Sequence, residues 1–297
     1  MLIDSPEPGR LQSNHGGCPM SILYDTHMHS SFSTDSDAPA KAMVLQALDL
    51  KLRGICFTDH MDLDYPSFYF PEDPSAFAAD PEEIWQEIRS LRAQYCASDP
   101  EFHIGFGLEF GMQRHLASRF SEIAQRWPLD FIIASQHLVG GLDPYYPEVW
   151  EGHTPEDLIH TYYEEMFDNL KTMDEWDTLA HLDYIIRYIP QRPDLPFDSF
   201  EVFPDLIDEI LRYVISCGKC LEVNTAGYKY GLEQPNPAPS ILRRYRELGG
   251  KRITIGADAH APQHIGIGFD KVRQLLLSME YDTYTVFRSR VPQELPL

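Results

Sequence analysis

The chain has 297 residues, of which 43% are hydrophobic and 24% charged, proportions typical of a soluble globular protein. Its formal net charge is −22, from 46 acidic and 24 basic side chains. Nucleic-acid-binding proteins usually present a basic surface, so this charge argues against a nucleic-acid partner. No stretch approaches the roughly 20 apolar residues of a membrane helix, so no membrane partner is expected.

Residues 1–20 are polar and rich in proline, glycine and serine, without the apolar segment of a signal peptide. We therefore expect a flexible N-terminal extension over 1–20, a single domain over 21–297 and a cytoplasmic location. The five cysteines are an odd number, which is typical of thiols in a reducing compartment. Cys217 and Cys220 have zinc-hook spacing, but a structural role is favoured because no second pair accompanies them.

Seven short apolar runs, in chain order, each end in side chains that can bind a metal. The runs end at His27–His29, Asp59–His60, Glu109, His137, His181–Asp183, Glu222–Asn224 and Asp258–His260. Apolar runs of this length are typical of strands buried on both faces of a parallel sheet. One such ending would mean little, but seven in series indicate that the strand ends converge on one site.

The segments between these runs have helical periodicity and helical punctuation. Asp80 and Thr154 each precede a proline and acidic residues, which predicts helix N-caps. An apolar stripe from Phe203 to Val214 predicts a helix that Gly218 stops. Alternating strands and helices predict a parallel sheet, and seven strands predict an α/β fold closed as a distorted (β/α)7 barrel. Chemistry in such barrels occurs at the carboxyl ends of the strands.

Two long connections, over residues 61–79 and 138–153, follow predicted strand ends and are rich in aromatic and acidic residues. We expect both on the face that carries the chemistry, where long loops commonly determine the substrate. Their side chains could bind a flat cationic group, or they could simply pack on each other.

His27 and His29 are two positions apart on one predicted strand, so both imidazoles point to the same side and can reach one metal. Four further histidines and two carboxylates end other strands, namely His60, His137, His181, His260, Glu109 and Asp258. A set of nitrogen and oxygen donors without cysteine favours Zn, Mn or Fe over Ca or Mg.

These residues resemble the polymerase and histidinol phosphatase (PHP) superfamily of metal-dependent phosphoesterases. The resemblance spans about residues 22 to 270 and rests on an ordered set of motifs. The motifs are His27-x-His29, Thr58-Asp59-His60, Glu109, His137, His181 and Asp258-Ala259-His260. Ser135-Gln136-His137 and Asp143-Pro144-Tyr145-Tyr146 are similar to the histidinol-phosphate phosphatase branch.

The resemblance implies three divalent metal ions. The first would be held by His27, His29, Glu109 and Asp258, the second by Glu109, His137 and His181, and the third by Asp35, His60 and His260. Asp37 could replace Asp35 as the ligand, because it lies two positions away. Asp25, Asp59 and Asp183 could orient the ligand imidazoles from behind.

Metal ions suit phosphate monoesters because they neutralise the charge that repels a nucleophile and because they activate water. Glu109, Asp258 and His260 are therefore predicted catalytic residues, together with Arg187 as a clamp on phosphate. Arg187 could alternatively be a surface arginine, and Lys229 is a rival phosphate ligand. Asn224 could contact substrate or tie the barrel rim.

The leading hypothesis is a phosphomonoesterase that converts L-histidinol phosphate to L-histidinol and phosphate in histidine biosynthesis. One alternative is the same metal chemistry on another small phosphomonoester or a nucleotide. A further alternative is a metal-binding scaffold without activity, but all nine predicted ligand positions carry ligand-type side chains, which argues against it. The sequence leaves the oligomeric state open.

Overall fold

Seven parallel strands form one sheet whose spatial order is the order of the sequence. The computed structural model describes residues 22–190 and 197–297, so the extension predicted for residues 1–20 lies outside the described residues. The strands are β1 (Tyr24–Met28), β2 (Gly54–Met61), β3 (His103–Gly111), β4 (Phe131–Ser135), β5 (Thr178–Leu179), β6 (Cys220–Asn224) and β7 (Ile253–Gly256).

The sheet curls until its first and last strands meet. A parallel bridge joins Met28 to Ala259, just beyond β7, and the His29 backbone N–H donates to the Ala259 carbonyl at 2.9 Å. The Thr26 hydroxyl also donates to the Ile255 carbonyl at 2.9 Å. These contacts nearly close the sheet, which confirms the predicted distorted (β/α)7 barrel.

Helices connect the strands and cover the outside of the sheet. They are α1 (Ala40–Asp49), α2 (Pro81–Leu91), α3 (Ala117–Arg126), α4 (Pro155–Leu170), α5 (Ser199–Val202), α6 (Pro204–Ser216), α7 (Ala226–Lys229), α8 (Pro239–Glu247) and α9 (Phe269–Ser278). Both predicted caps are confirmed, since Asp80 accepts from the backbone N–H of Glu82 and Thr154 from that of Asp157. Gly218 has φ +66°, the left-handed conformation that ends a helix, and α6 stops just before it.

The strands are buried on both faces, as their apolar runs predicted. Every residue of β2 and β4 is buried, and so are nearly all residues of β3. In the described part of the chain, Cys56, Cys96, Cys217 and Cys220 are free thiols. Over residues 22–190 and 197–297, no helix combines the length and apolar character needed to cross a membrane.

A C-terminal hairpin, β8 (Thr283–Arg288) and β9 (Val291–Pro296), was not predicted. It lies under the amino-terminal end of the barrel, where Phe287 stacks on Phe131 with ring centroids 5.1 Å apart. At its tip, the Ser289 N–H donates to the Asp130 carboxylate at 2.8 Å and the Arg290 Nε to that of Asp177 at 2.5 Å. The hairpin therefore plugs the end of the barrel opposite the carboxyl ends of the strands.

Candidate metal centre

The predicted ligand residues meet at the carboxyl end of the barrel. At the end of β1, the Nε2 atoms of His27 and His29 are 3.2 Å apart, as the two-residue spacing predicted. The Asp258 Oδ1, from the segment after β7, lies 3.7 Å from the first and 3.3 Å from the second. Three donors from opposite ends of the chain thus surround one point.

Glu109, near the end of β3, lies at the centre of the cluster and is only 1% exposed. Its Oε1 contacts His181 at 2.9 Å, His137 at 3.2 Å and His27 at 3.4 Å, and its Oε2 contacts His60 at 3.0 Å and His29 at 3.4 Å. One buried carboxylate therefore faces five imidazoles that come from β1, β2 and the segments that follow β4 and β5.

A third grouping lies at the more exposed side of the cluster. The Asp35 Oδ2 is 3.1 Å from the Nε2 of His260 and 3.4 Å from that of His60. Asp35 and its alternative, Asp37, are both in the exposed class, so contact with the imidazoles, and not burial, distinguishes them. Of the two aspartates, the structure brings Asp35 to the imidazoles.

The spacing of these atoms fits a metal centre. A tetrahedral site with bonds of about 2.0–2.1 Å separates its ligand atoms by about 3.3–3.4 Å, close to the separations found here. Four overlapping groups have ligand atoms within 4.8 Å of one another, namely His29, His60 and His260; His27, Glu109 and His181; His27, His29 and Asp258; and His60, Glu109 and His137. In the described part of the chain, the buried Glu109 Oε2 and His60 Nδ1 make no well-oriented hydrogen bond. The donor set and its orphaned atoms therefore suit bound ions.

The electrostatics of the cluster reflect its crowded, opposite charges. Burial would lower the pKa of His27, but Glu222, Glu109 and Asp258 raise it well above the usual value. Burial would raise the pKa of Glu109, but His27 and neighbouring imidazoles hold it well below its usual range. The pKa of His29 is lowered to about 3 by burial and by His260 and His60. Metal ligands must be deprotonated, so an ion entering this cluster would displace protons from the raised imidazoles.

Three side chains that the sequence analysis did not assign hold the far nitrogens of the imidazoles. The Glu222 Oε1 lies 2.7 Å from the Nδ1 of His27, and the Asp62 Oδ1 lies 2.7 Å from the Nδ1 of His137. The Ser33 hydroxyl lies 3.1 Å from the Nδ1 of His29. Such partners fix the ring orientation and leave Nε2 free to face the centre.

None of the three aspartates predicted to orient imidazoles does so by direct contact. Asp25 accepts from the backbone N–H groups of Ala257 and Gly266, so it ties β1 to the chain after β7. Asp59 accepts the Ser33 hydroxyl at 2.7 Å and reaches His29 only through that serine.

Asp183 instead supports the phosphate-clamp candidate. It accepts from Asn236 Nδ2 at 2.5 Å, and the Oδ1 of Asn236 accepts from Arg187 Nε at 3.0 Å. Arg187 is buried, so the surface alternative is wrong, and its NH1 is 3.6 Å from the Asp258 Oδ2. Asn224 is fully buried and accepts from Arg187 NH2 at 3.3 Å. Of the two alternatives for Asn224, this geometry fits the tie within the rim, because its side chain contacts Arg187, Glu222 and Asp258 and is not among those that line the cavity.

A cavity of about 440 Å³ opens above the cluster. Both rival basic residues, Arg187 and Lys229, line it beside Asp258 and His260. The two long connections line it as predicted, and they also pack on each other, with Tyr69 stacked on Tyr146 at 3.7 Å. The packing of the two loops on each other is therefore observed, and the binding of a flat cationic group by their side chains stays a prediction.

Local backbone geometry and small residues make room for the cluster. Asp258 has φ +51°, a left-handed conformation that costs a non-glycine residue energy and that is common at functional sites. A Cβ on Gly256 would lie 2.3 Å from the Cβ of His27, so only glycine lets β7 pass the first ligand.

A nearly closed (β/α)7 barrel with six imidazoles and two carboxylates at its mouth belongs to the class of α/β barrels built to hold metal ions for catalysis. The family model of the PHP domain matches residues 25–226. The chain therefore belongs to the PHP domain family.

Relatives from two bacteria resemble the chain over most of their length. A probable histidinol-phosphatase from Clostridium acetobutylicum is 30% identical over 84% of this chain and 90% of its own. A histidinol-phosphatase from Lactococcus lactis is 30% identical over 89% and 93%, respectively. The crystal structure of histidinol phosphate phosphatase from Lactococcus lactis, complexed with zinc, L-histidinol and phosphate, superimposes with a TM-score of 0.81 at 29% identity, covering 92% of this chain and 99% of that one.

Proposed function

We propose that this protein is a metal-dependent phosphomonoesterase that hydrolyses L-histidinol phosphate to L-histidinol and phosphate, a reaction of histidine biosynthesis in the cytoplasm. The observation that carries the proposal is the buried Glu109 carboxylate, which faces five imidazoles beneath a cavity that also presents Arg187 and Lys229. The names of the bacterial relatives and the ligands of the Lactococcus lactis structure support the substrate.

The ligand assignment supported best is one of three divalent ions, of which the first two share Glu109. The first set is His27, His29, Glu109 and Asp258, the second is Glu109, His137 and His181, and the third is Asp35, His60 and His260. Zinc is favoured because the Lactococcus lactis structure contains it, and manganese or iron would accept the same donors.

Bound ions would neutralise the phosphate charge and lower the pKa of water so that it can attack phosphorus. The chain's own groups prepare this step. Glu222, Asp62 and Ser33 aim the imidazoles, and the guanidinium of Arg187 and the ammonium of Lys229 lie where they can hold non-bridging phosphate oxygens. Several tyrosines line the cavity, and a substrate that fills it would displace water and so strengthen these charge interactions.

The test is Glu109→Gln, which removes the shared charge while keeping the size of the side chain. We expect hydrolysis of L-histidinol phosphate to fall by at least about a thousandfold, because the ions would lose their common ligand. The matched control is Glu165→Gln, at a half-buried carboxylate outside the candidate metal centre that accepts the N–H of Gly140. Circular dichroism should confirm that both variants are folded. Near-normal turnover by a folded Glu109→Gln protein would contradict the proposal.

Two further measurements separate the alternatives. The first compares kcat/KM for L-histidinol phosphate with kcat/KM for a panel of nucleotides and sugar phosphates, under the same metal. A preference of about tenfold, or about 1.4 kcal/mol, for any compound of the panel would contradict the substrate assignment. Metal analysis of protein prepared with excess ions would favour an inactive scaffold if it found well under one ion per chain.

A further inference from the structure

The cavity above the metal centre is lined by both basic and acidic side chains. Arg187 and Lys229 line it together with Asp258 and His260, and Asp143 lines it together with Tyr65 and Tyr145 from the two long connections. A substrate that fills this cavity would meet two cations and, at Asp143, a carboxylate that is not among the candidate metal ligands.

Asp143 is 9% exposed, and the two groups that donate hydrogen bonds to its carboxylate are neutral. Its Oδ2 accepts from the Tyr65 hydroxyl at 2.6 Å, and its Oδ1 accepts from the backbone N–H of Tyr145 at 2.8 Å. These two bonds fix the direction of the carboxylate without neutralising its charge. Burial raises the pKa of Asp143, because the charged form is poorly solvated there, and a bound cation would reverse that shift.

Aromatic rings surround this carboxylate. Tyr145 meets Tyr188 edge to face at 5.8 Å, and Tyr184 lies 5.1 Å from Tyr188 and 5.5 Å from the ring of His137. Tyr184 therefore links the candidate ligand His137 to the other tyrosines of the cavity that Asp143 also lines. Aromatic faces attract cations and stack with flat heterocycles, so this wall suits a cationic group attached to a planar ring.

Building on the proposed function, we propose that Asp143 is the specificity-determining residue that binds the ammonium group of the leaving alcohol, while the tyrosine wall holds its imidazole ring. At neutral pH the imidazole of an unbound substrate is mostly neutral, whereas an alkylamine is protonated, so the ammonium group is the permanent cation. With Arg187 and Lys229 for the phosphate and Asp143 for the ammonium group, the cavity would select phosphomonoesters that carry a cation near the ester. It would reject nucleotides, which lack that cation.

The experiment compares three substrates in the zinc-loaded full-length enzyme: L-histidinol phosphate, its analogue without the amine, 3-(imidazol-4-yl)propyl phosphate, and phenyl phosphate. In the wild type, removal of the amine should lower kcat/KM by about 10- to 150-fold, the range for a hydrogen bond to a charged group. In Asp143→Asn this preference for the amine should shrink to about threefold or less, because the carboxylate that recognises it is gone.

Two matched variants control for indirect effects. Glu148→Gln makes the same change of charge at an exposed position of the same loop and should leave the preference for the amine as in the wild type. Tyr65→Phe removes the hydrogen bond to Asp143 but keeps its carboxylate, so it should retain most of the preference. If Tyr65→Phe and Asp143→Asn lost the preference equally, Asp143 would merely join two loops and the proposal would be overturned.

The substrate comparison in the wild type needs no folded variant, so a misfolded Asp143→Asn protein would not remove the test. Equal kcat/KM for the substrates with and without the amine would overturn the proposal for Asp143 while leaving the phosphatase assignment intact. Hydrolysis of L-histidinol phosphate no faster than that of phenyl phosphate would instead contradict the proposed substrate as well.

Discussion

Glu222 should control how tightly the centre holds its metal, although it cannot be a ligand of the same ion as His27 Nε2. It is fully buried, and its Oε1 lies 2.7 Å from the Nδ1 of His27. Its Oε2 accepts from the backbone N–H of His181 at 3.0 Å and from the side-chain amide of Asn224 at 3.1 Å. One carboxylate thus faces three donors.

Glu222→Gln preserves the shape but cannot satisfy these donors. If the amide oxygen faces His27, the amide NH2 points at the two donors of His181 and Asn224. If the amide is reversed, the NH2 faces the Nδ1 of His27 and drives that imidazole to the tautomer with its proton on Nε2. With His27 held in the tautomer that leaves Nε2 free for a metal, either arrangement leaves a buried donor without an acceptor, at a cost of about 1–3 kcal/mol.

This cost applies to the form of the site that can bind metal, in which the Nε2 of His27 carries no proton. At about 1.36 kcal/mol per tenfold, it corresponds to zinc affinity weakened about 5- to 150-fold, which agrees with the roughly 10- to 100-fold losses usual for partners of metal ligands. The assay removes metal with a chelator, titrates zinc back, and follows both metal content and hydrolysis of L-histidinol phosphate. Activity of the variant should recover at high zinc, because the substrate contacts are intact.

The same titration distinguishes this cause from general damage. Glu165→Gln, at the half-buried carboxylate that accepts from Gly140, should titrate as the wild type does. If Glu222→Gln also took up zinc with wild-type affinity at limiting metal, the hydrogen bond to His27 would not set affinity and the reasoning would be refuted.

Three further predictions concern pH, phosphate and the hairpin. Burial would lower the pKa of His137, but Asp62 and Glu109 raise it to about 10. The protonated imidazole therefore stabilises the metal-free fold fully below about pH 6.5, and this stabilisation is lost as the pH rises toward 10. Calorimetry should show the unfolding temperature of metal-free protein falling between about pH 6.5 and 9.5, and a rise would contradict this. Arg187→Lys should lower kcat/KM about 10- to 100-fold, because lysine cannot hold two phosphate oxygens in a fork, whereas a change under threefold would remove the clamp. Arg290→Ala should lower the free energy of unfolding by about 2 kcal/mol, because it removes a hydrogen bond at the end of the barrel opposite the site. Urea titration should show this loss, and steady-state kinetics should show kcat/KM nearly unchanged. Lost activity at full stability would contradict the prediction.

The convergence of the candidate ligand residues could be predicted because strand geometry constrains them strongly. Residues two apart on a strand share a face, and parallel strands in a barrel end at the same mouth, so His27, His29 and Glu109 had to converge. The sequence could not supply the distances that make Glu109 a hub for five imidazoles, since these depend on how far the sheet curls. It also could not choose between Asp35 and Asp37, because that choice depends on a loop conformation.

The partners behind the ligands were harder to predict, but one carried a usable signal. Glu222 is two residues before Asn224 on the same strand, so a prediction that one faces the site implies that both do. Asp62 and Ser33 are in loops and carry no such periodicity. The hairpin was missed because its alternation is interrupted by Pro292 and because residues 283–296 lie beyond the span of the family resemblance.

The charges of the centre explain how it can fold before it binds metal. Glu109 and Asp258 are buried anions, which would be costly unless paired. In the metal-free protein, the raised pKa values of His27, His60 and His137 mean that protonated imidazoles supply the compensating charge. Bound metal ions would replace those protons, so the carboxylates would keep a positive neighbour in both states. Because the same side chains are paired in both states, the barrel mouth can be organised before loading, and metal affinity must increase with pH as proton competition weakens.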